Sequence, residues 1–383
     1  MAQSDKQVLA QLSQLIAIPS VSSTDPLWDQ GNRPVVDLLA SWLADMGFNI
    51  EIQDVCASGN KANLIATLGS GPGGLVLAGH TDTVPFDEGR WQSDPLSLSE
   101  RDQRLYGLGS TDMKGFFPLA IAAASQFIDT PLQQPLIFLA TADEESSMNG
   151  ARALAAAGKP KARAAIIGEP TSLAPIRMHK GIMMEAVSIT GKAGHSSNPL
   201  LGNSALEGAH EVMSDLMTYR DELGERYTNE LFSVPFPTLN LGCIHGGDSP
   251  NRICGRTELH FDLRMTPGND NASIRGELQQ RMANIAQQHS LDIEMRSLIQ
   301  DVPSFEQAAD SELVRLAEQL TGHTAEAVAF ATEAPFLQQL GMDTIVMGPG
   351  SIDRAHQPDE YLELDQIQPC IALLQQFIRH YCL

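Results

Sequence analysis

The stretch LVLAGHTD, residues 75–82, is a short apolar run that ends in a histidine and an aspartate. Two similar runs follow, PLIFLATA at 135–142 and AAIIGEP at 164–170, and all three are bounded by glycine or proline. Their length favours buried strands over helices. Segments 113–128 and 147–158, which lie between them, have helical patterns. This alternation predicts an α/β fold with a mostly parallel sheet.

The pattern changes near residue 184. Segment 183–197 alternates like a half-exposed strand, and 203–223 has the pattern of a long amphipathic helix. Two further strands, over 236–247 and 254–265, and a helix over 272–290 follow. This order predicts an α+β domain of ferredoxin-like type over 184–297. We expect it to be inserted into a larger domain formed by 1–183 and 298–383, where a buried strand at 344–350 marks the return of the α/β pattern.

The chain of 383 residues has 47 acidic and 25 basic side chains and a formal net charge of −22. Such a charge repels phosphate backbones and anionic lipids, so we expect no nucleic-acid partner and no membrane partner. No apolar run approaches the roughly 18 residues that cross a bilayer. The five cysteines are dispersed without a C-x-x-C pair, and MAQSDKQVLAQLSQL at the N-terminus lacks the features of a signal peptide. We therefore expect a cytoplasmic location.

Six polar side chains stand just past predicted strands, or in a glycine-rich loop before a helix. They are His80, Asp112, Glu144, Glu145, Glu169 and His356. In an open parallel sheet the carboxyl ends of the strands line one edge, and ligands bind there. Residues far apart in the chain are therefore expected to converge at that edge.

Taken singly, each of these residues has an ordinary structural explanation. A histidine two residues before an aspartate is usually part of a loop, adjacent glutamates commonly begin a helix, and a glutamate before proline is typical of a turn. Taken together, several buried carboxylates would repel one another unless cations neutralised them. Histidine and carboxylate ligands without cysteine suit zinc or cobalt in a catalytic site. The joint pattern therefore indicates a pair of divalent ions.

The neighbours Glu144 and Glu145 rarely point the same way, so one can bind an ion while the other transfers a proton to a leaving amine. Asp82 lies two residues from His80, on the same side of an extended segment. Histidines that bind a metal usually donate their second N–H to a carboxylate, which fixes the tautomer. Asp82 is therefore predicted to orient His80.

The motifs GHTDTVP, GSTDMKG, TADEE, GEPT, GHSS and AHQPDEY together resemble the zinc-dependent aminoacylase and carboxypeptidase superfamily. The resemblance spans essentially the whole chain. It implies an amidohydrolase whose larger domain is catalytic and binds two zinc ions, with cobalt as the alternative metal. It also implies that the inserted domain forms a homodimer.

The same resemblance assigns a role to each motif residue. Each zinc ion has its own pair of ligands, and the two ions share a third. The pairs are His80 with Glu169 and Glu145 with His356, and the shared ligand is Asp112. Glu144 would be the general acid and base, and His195 would stabilise the developing oxyanion across the dimer interface.

Within the superfamily, the quoted stretches are similar to members that deacetylate N2-acetyl-L-ornithine to ornithine and acetate in arginine biosynthesis. The alternatives are a succinyl-diaminopimelate desuccinylase, an aminoacylase or a carboxypeptidase and, in a different class, a non-catalytic binding relative. The complete ligand set and Glu144 argue against the last of these.

An N-acetylated amino acid carries an α-carboxylate, which a cationic side chain would recognise. The candidates are Arg252, Arg264 and Lys180, with Asn251 as a polar helper. Taken alone, each of these basic residues is more often an ordinary surface charge. Glu333, in ATEAPF, is predicted to receive the ammonium of the ornithine side chain.

Overall fold

The computed structural model describes residues 5–87 and 89–383. Contacts divide the chain into two compact units. The first comprises residues up to 177, 307–326 and 333–383, and the second comprises 178–306 and 327–332. The predicted insertion at 184–297 lies within the second unit, and its role in dimerisation stays a prediction. The first four residues of the N-terminal stretch lie outside the described residues.

The helices and strands, in chain order, are α1 Asp5–Ile16, α2 Arg33–Asp45, β1 Asn49–Asp54, β2 Ala62–Leu68, β3 Leu75–His80, β4 Ser99–Arg101, β5 Arg104–Tyr106, α3 Phe116–Ala124, β6 Leu136–Thr141, α4 Asn149–Ala157, β7 Ala164–Pro170, β8 Ile176–His179, β9 Met183–Thr190, β10 Gly194–His195, α5 Ala205–Arg226, β11 Thr238–Gly246, β12 Arg252–Ile253, β13 Arg256–Arg264, α6 Asn271–His289, β14 Asp292–Ser297, β15 Phe305–Glu306, α7 Glu312–Thr321, β16 Glu326–Val328, α8 Ala334–Gln339, β17 Asp343–Gly348, β18 Tyr361–Glu363 and α9 Ile367–Cys382.

The main sheet of the first unit runs in the order β1-β2-β6-β3-β7-β17. Strands β6, β3, β7 and β17 are parallel, whereas β1 and β2 pair antiparallel at one side. Every residue of β3, β6 and β7 is buried, as the continuous apolar runs predicted. The mixed α/β fold with a parallel-rich sheet is therefore confirmed. The carboxyl ends of β3, β6, β7 and β17 lie along one edge of this sheet.

Helix α3 is shorter than the helix predicted over 113–128. The preceding residues form hydrogen-bonded turns instead, in which the Gly115 N–H donates to the Gly109 carbonyl at 3.0 Å. Gly109 has a φ of +81°, a conformation that glycine adopts without steric cost. The glycine-rich segment thus remains a loop up to the start of α3.

The second unit has the element order β9-α5-β11-β13-α6-β14, and its sheet runs β11-β13-β9-β14 with all pairs antiparallel. This is the ferredoxin-like arrangement predicted from the sequence. Ser204 and Asp270 cap the N-termini of α5 and α6 with side-chain oxygens. Inside the unit, the fully buried Glu185 accepts hydrogen bonds from Arg275, whose NH2 group lies 2.6 Å from Glu185 Oε1.

In the described part of the chain, no helix combines the length and the apolar character that crossing a membrane requires. The five cysteines lie apart from one another as free thiols.

Gly168, the residue before Glu169 in β7, lies directly against α3. A Cβ atom at this position would overlap the Phe116 ring, and a Cβ at the neighbouring Gly348 would overlap the Gly168 carbonyl. The absence of side chains at these two positions lets β7, β17 and α3 approach closely at the edge where the strands end.

We expect Gly168→Ala to lower the free energy of unfolding by about 1–3 kcal/mol, because the added methyl overpacks the Phe116 contact. The matched control is Gly276→Ala in α6, where nothing lies within 4 Å of the added Cβ. That variant should gain about 0.5–1 kcal/mol from helix propensity. Urea unfolding followed by circular dichroism measures both changes, and an undiminished stability of Gly168→Ala would contradict the close packing.

Candidate metal centre

Strand ends of the first unit bring five of the six predicted polar residues to one place. His80 is the last residue of β3, and Glu169 is the penultimate residue of β7. Glu144 and Glu145 follow β6, which pairs in parallel with β3. His356 reaches the group from the loop after β17, with a φ of +58°.

Asp112, the sixth residue, lies between the two histidines. Its Oδ1 atom is 3.0 Å from His80 Nε2, and its Oδ2 atom is 3.3 Å from His356 Nε2. On the far side of His80, Glu169 Oε1 lies 3.7 Å from Nε2. On the far side of His356, Glu145 Oε2 lies 3.0 Å from Nε2. One carboxylate thus presents an oxygen to each half of the group.

The donor set fits divalent cations. Two sets of three residues each offer ligand atoms that all lie within 4.8 Å of one another. The first set is His80, Glu144 and Glu169, and the second is His80, Asp112 and Glu145. Among the described residues, no hydrogen-bond donor reaches the buried Glu169 Oε1 atom. A buried carboxylate oxygen without a donor is costly unless a cation meets it. Nitrogen and oxygen ligands of this kind suit zinc and neighbouring transition metals.

The carboxyl groups shift one another's ionisation. Loss of solvent contact raises the pKa of Glu144 well above its usual value, and the charge of Glu169 adds to the rise. Burial likewise raises the pKa of Glu169, to which Asp112 and Glu145 contribute. Burial would also raise the pKa of Asp112, but hydrogen bonds from His356 and His80 outweigh it and hold that pKa below its usual range. The site therefore contains more carboxyl groups than its two histidines can neutralise.

The two histidines respond in the opposite sense. Burial disfavours the charged form of His80, but the negative charges of Glu169 and its neighbours outweigh this and raise the pKa well above the usual value. Hydrogen bonds to Asp112 and Glu145 raise the pKa of His356 to about 10. Protons on the two imidazoles balance part of the carboxylate charge. A metal ion would compete with these protons for the same nitrogen atoms.

Asp82 is connected to this group in two ways. The main-chain carbonyl of Asp82 lies 2.9 Å from His80 Nδ1, whereas its carboxylate Oδ1 atom lies 3.8 Å away. Its Oδ2 atom accepts the backbone N–H of Glu145 at 3.0 Å. A proton on Nδ1 that bonds to the carbonyl leaves His80 Nε2 free to bind a cation. The Asp82 carboxylate instead holds the turn that carries the two glutamates.

Three buried or largely buried groups that the sequence did not single out support the centre: Lys61, Asp143 and Glu360. Asp143 has a φ of +61°, and its Oδ1 atom accepts from Lys61 Nζ at 2.6 Å and Ser22 Oγ at 2.9 Å. These bonds anchor the turn just before Glu144. Asp143 and Glu360 lie within the motifs TADEE and AHQPDEY, which assigned no role to either residue, and nothing in the sequence marked Lys61.

His195, Asn251 and Arg252 lie in the second unit. His195 pairs across the short β10–β12 ladder with Arg252, which brings these two residues together. His195 is exposed, and its Nδ1 atom lies 2.8 Å from Ser197 Oγ. Arg252 NH1 lies 2.5 Å from Asp248 Oδ2. Asn251 accepts a hydrogen bond from Ser249 Oγ at 2.6 Å.

Arg264 and Lys180, also in the second unit, have other partners. Arg264 Nε lies 3.1 Å and 2.9 Å from the two carboxylate oxygens of Asp262. Lys180 is only 2% exposed, and its Nζ donates to the Phe236 carbonyl at 2.6 Å. Burial lowers the pKa of this lysine.

Glu333 lies in the first unit, immediately before α8. It is 1% exposed, and no donor among the described residues reaches its Oε1 atom. Burial raises the pKa of Glu333 to about 7, although a hydrogen bond from Thr141 and the charge of His80 oppose the rise. An acidic group with one unpaired carboxyl oxygen therefore lies beside the metal centre.

Comparisons with known proteins agree with this geometry. The chain is 51% identical over 368 residues to an acetylornithine deacetylase of Edwardsiella ictaluri, covering 96% of each protein. Its fold resembles that of a metallo-carboxypeptidase of the M20 family from Sulfolobus solfataricus, with a TM-score of 0.76, 18% identity and coverage of 98% and 99% of the two chains. It also resembles a Bacillus subtilis protein described as a dinuclear metal binding peptidase of that family, with a TM-score of 0.69, 16% identity and 97% coverage of both chains.

Residues 76–380 match the sequence pattern of one peptidase family. The match begins within β3, four residues before His80, and continues past His356 into α9, so it includes every residue of the metal centre. The chain therefore belongs to the peptidase family M20/M25/M40.

Proposed function

We propose that this chain hydrolyses the amide bond of N2-acetyl-L-ornithine, releasing acetate and L-ornithine for arginine biosynthesis in the cytoplasm. The observation that carries the proposal is the 51% identity over nearly the full length to a protein named acetylornithine deacetylase. The cluster of histidines and carboxylates around Asp112 supplies the chemistry such a reaction needs. Five free thiols agree with a reducing compartment.

The centre would hold two zinc ions, or cobalt. One ion would be held by His80, Glu169 and Asp112, and the other by Asp112, Glu145 and His356. The short contacts on either side of Asp112 support this division. Bound metal would polarise the acetyl carbonyl and make water nucleophilic near neutral pH.

Glu144 would be the proton carrier. In this role one of its carboxylate oxygens takes a proton from the water that attacks the acetyl carbon. It then passes that proton to the nitrogen of the leaving ornithine as the C–N bond breaks, while the water oxygen stays with acetate. Burial and the charge of Glu169 favour the protonated form of Glu144, and bound cations would offset that charge and favour the carboxylate that accepts the proton. The Asp82 carboxylate, through the Glu145 N–H, would keep the turn in place.

Glu333 would select the substrate by accepting the ammonium of the ornithine side chain. Its buried Oε1 atom has no donor in the described part of the chain, and a cation there would offset the cost of burying the charged carboxylate. The α-carboxylate would be bound by Arg252, Arg264 and Lys180, with Asn251 as a polar helper. His195 would donate to the acetyl oxygen as negative charge develops.

A homodimer formed through the second unit completes the proposal. Strand β11 is at the edge of its sheet, and the exposed side chains of Leu200, Leu206 and Ile244 belong to the same unit. An edge strand with apolar neighbours favours pairing with another chain.

The substrate proposal predicts that metal-loaded protein cleaves acetylornithine faster than succinyl-diaminopimelate or acetylmethionine, with amine release as the measurement. Glu333→Gln should lower kcat/KM for acetylornithine about 10- to 100-fold, since a hydrogen bond to a charged group is worth roughly 1.5–3 kcal/mol. Turnover of acetylmethionine, which has no side-chain ammonium, should change little. An unaltered preference in Glu333→Gln would remove this residue from recognition, and a parent preference for another substrate would overturn the substrate assignment.

Glu144→Gln should lower kcat by about 10²- to 10⁴-fold because the proton carrier is lost. Elemental analysis should still find two ions per chain in this variant. Glu225→Gln, which removes an exposed carboxylate in the second unit, serves as the control and should retain the parent rate. Full turnover by Glu144→Gln would exclude the proposed mechanism.

The mass of the parent protein measured by sedimentation should be twice the chain mass of 41.4 kDa. Ile244→Lys, which puts a charge on the edge strand, should weaken association more than tenfold, because burying that side chain stabilises an interface by roughly 1.5–3 kcal/mol. The control is Leu27→Lys in the first unit, where the side chain is 81% exposed. A parent protein that is monomeric and fully active would contradict the dimer and any role of His195 across it.

A further inference from the structure

Glu360 is a buried acidic residue that the ligand set does not use. It lies four residues after His356, directly before β18, and is 2% exposed. Three backbone N–H groups of the glycine-rich loop point at its carboxyl oxygens. Gly109 N lies 3.1 Å from Oε2, and Thr111 N and Asp112 N lie 2.8 Å and 3.0 Å from Oε1.

The main chains of the two segments are joined as well. The Gly107 N–H donates to the Glu360 carbonyl at 3.1 Å, and Thr111 Oγ1 donates to the Tyr361 carbonyl. Tyr361 also pairs with Tyr106 in the β18–β5 ladder. The loop that carries Asp112 and the segment that carries His356 are therefore fastened to each other beside the metal centre.

We propose that Glu360 is a positioning residue that fixes Asp112 relative to His356 and thereby holds the ion shared by Asp112, Glu145 and His356. The inference rests on the proposed two-ion site. Its geometric basis is that the backbone N–H of Asp112 donates to Glu360 while the Asp112 carboxylate lies 3.3 Å from His356 Nε2.

The ion on the His356 side depends more on this connection than its neighbour does. Two of its three ligands, Asp112 and His356, belong to the fastened segments. Of the ligands of the other ion, only Asp112 does, because His80 and Glu169 are held by β3 and β7. Replacing Glu360 should therefore lower the affinity for the ion on the His356 side more than the affinity for the other ion.

Both oxygens of Glu360 accept. These hydrogen bonds favour the carboxylate, although burial and the charge of Asp112 raise the pKa of Glu360 to about 8. Glutamine has nearly the same shape, but its NH₂ group only donates. In Glu360→Gln, either Gly109 N–H or the pair from Thr111 and Asp112 would face that NH₂ group. Leaving such buried donors unpaired is unfavourable, so the loop should shift.

The test is calorimetric titration of Zn²⁺ into chelator-stripped protein. We expect the parent to bind two ions. Glu360→Gln should bind one ion with nearly unchanged affinity and the second about 10- to 100-fold more weakly. This is the usual effect of losing a group that orients metal ligands. With Co²⁺, the absorption spectrum of the tightly held ion in Glu360→Gln should match that in His356→Ala. The control is Asp359→Asn, which alters the neighbouring carboxylate. That carboxylate accepts the Gln92 backbone N–H and pairs with Arg101, so this variant should bind both ions like the parent.

Each outcome decides between the alternatives. Equal weakening of both ions, unchanged binding of both, or the same loss in Asp359→Asn would overturn the positioning role. If Glu360→Gln does not fold, Glu360→Asp replaces it. That variant keeps the charge but withdraws the carboxylate by one methylene, and unchanged affinity for the second ion would then count against the inference. A parent protein that binds no metal would instead refute the proposed two-ion site.

Discussion

Repulsion among carboxylates is the constraint on which the rest of this structure depends. The ends of β6 and β7 bring Glu145 and Glu169 to one edge of the parallel sheet, and the loop before α3 adds Asp112 there. Little water can separate the charges of these three groups. Two histidines offset part of that charge, and their pKa values rise as a result. An arrangement of this kind costs free energy in the ion-free protein, and that cost is relieved when cations bind. Affinity for divalent metal thus follows from the way the strands end.

The loops that carry the ligands are held mainly by bonds between carboxylates and backbone N–H groups. Asp82 accepts from Glu145, and Glu360 accepts from the loop before Asp112. At the turn of the paired glutamates, Lys61 and Asp143 form an ion pair of 2.6 Å. These bonds restrict main-chain positions without occupying the side-chain atoms that face the ions. The main chain around the site is therefore held in place, while the ligand atoms remain available to bind ions.

The sequence predicted the fold well where periodicity reports burial. The runs that became β3, β6 and β7 are apolar throughout because both faces of those strands are covered. Prediction was weaker at helix ends: α3 begins at Phe116 rather than at 113, because a loop held by distant residues replaces its first turn. Convergence of the residues at the ends of β3, β6 and β7 followed from strand direction, whereas Asp112 and His356 reach the centre from loops. Lys61 and Glu360 act through bonds 82 and 248 residues along the chain, and no local pattern encodes such contacts.

The contact between His80 Nδ1 and the main-chain oxygen of Asp82 has a consequence for how variants at position 82 are understood. Every amino acid has that carbonyl, so replacing the aspartate would not by itself remove the group that selects the imidazole tautomer. What such a replacement removes is the acceptor for the Glu145 N–H. Loss of function at position 82 would then reflect a displaced glutamate turn and the loss of a nearby negative charge, with the imidazole tautomer still set by the main chain.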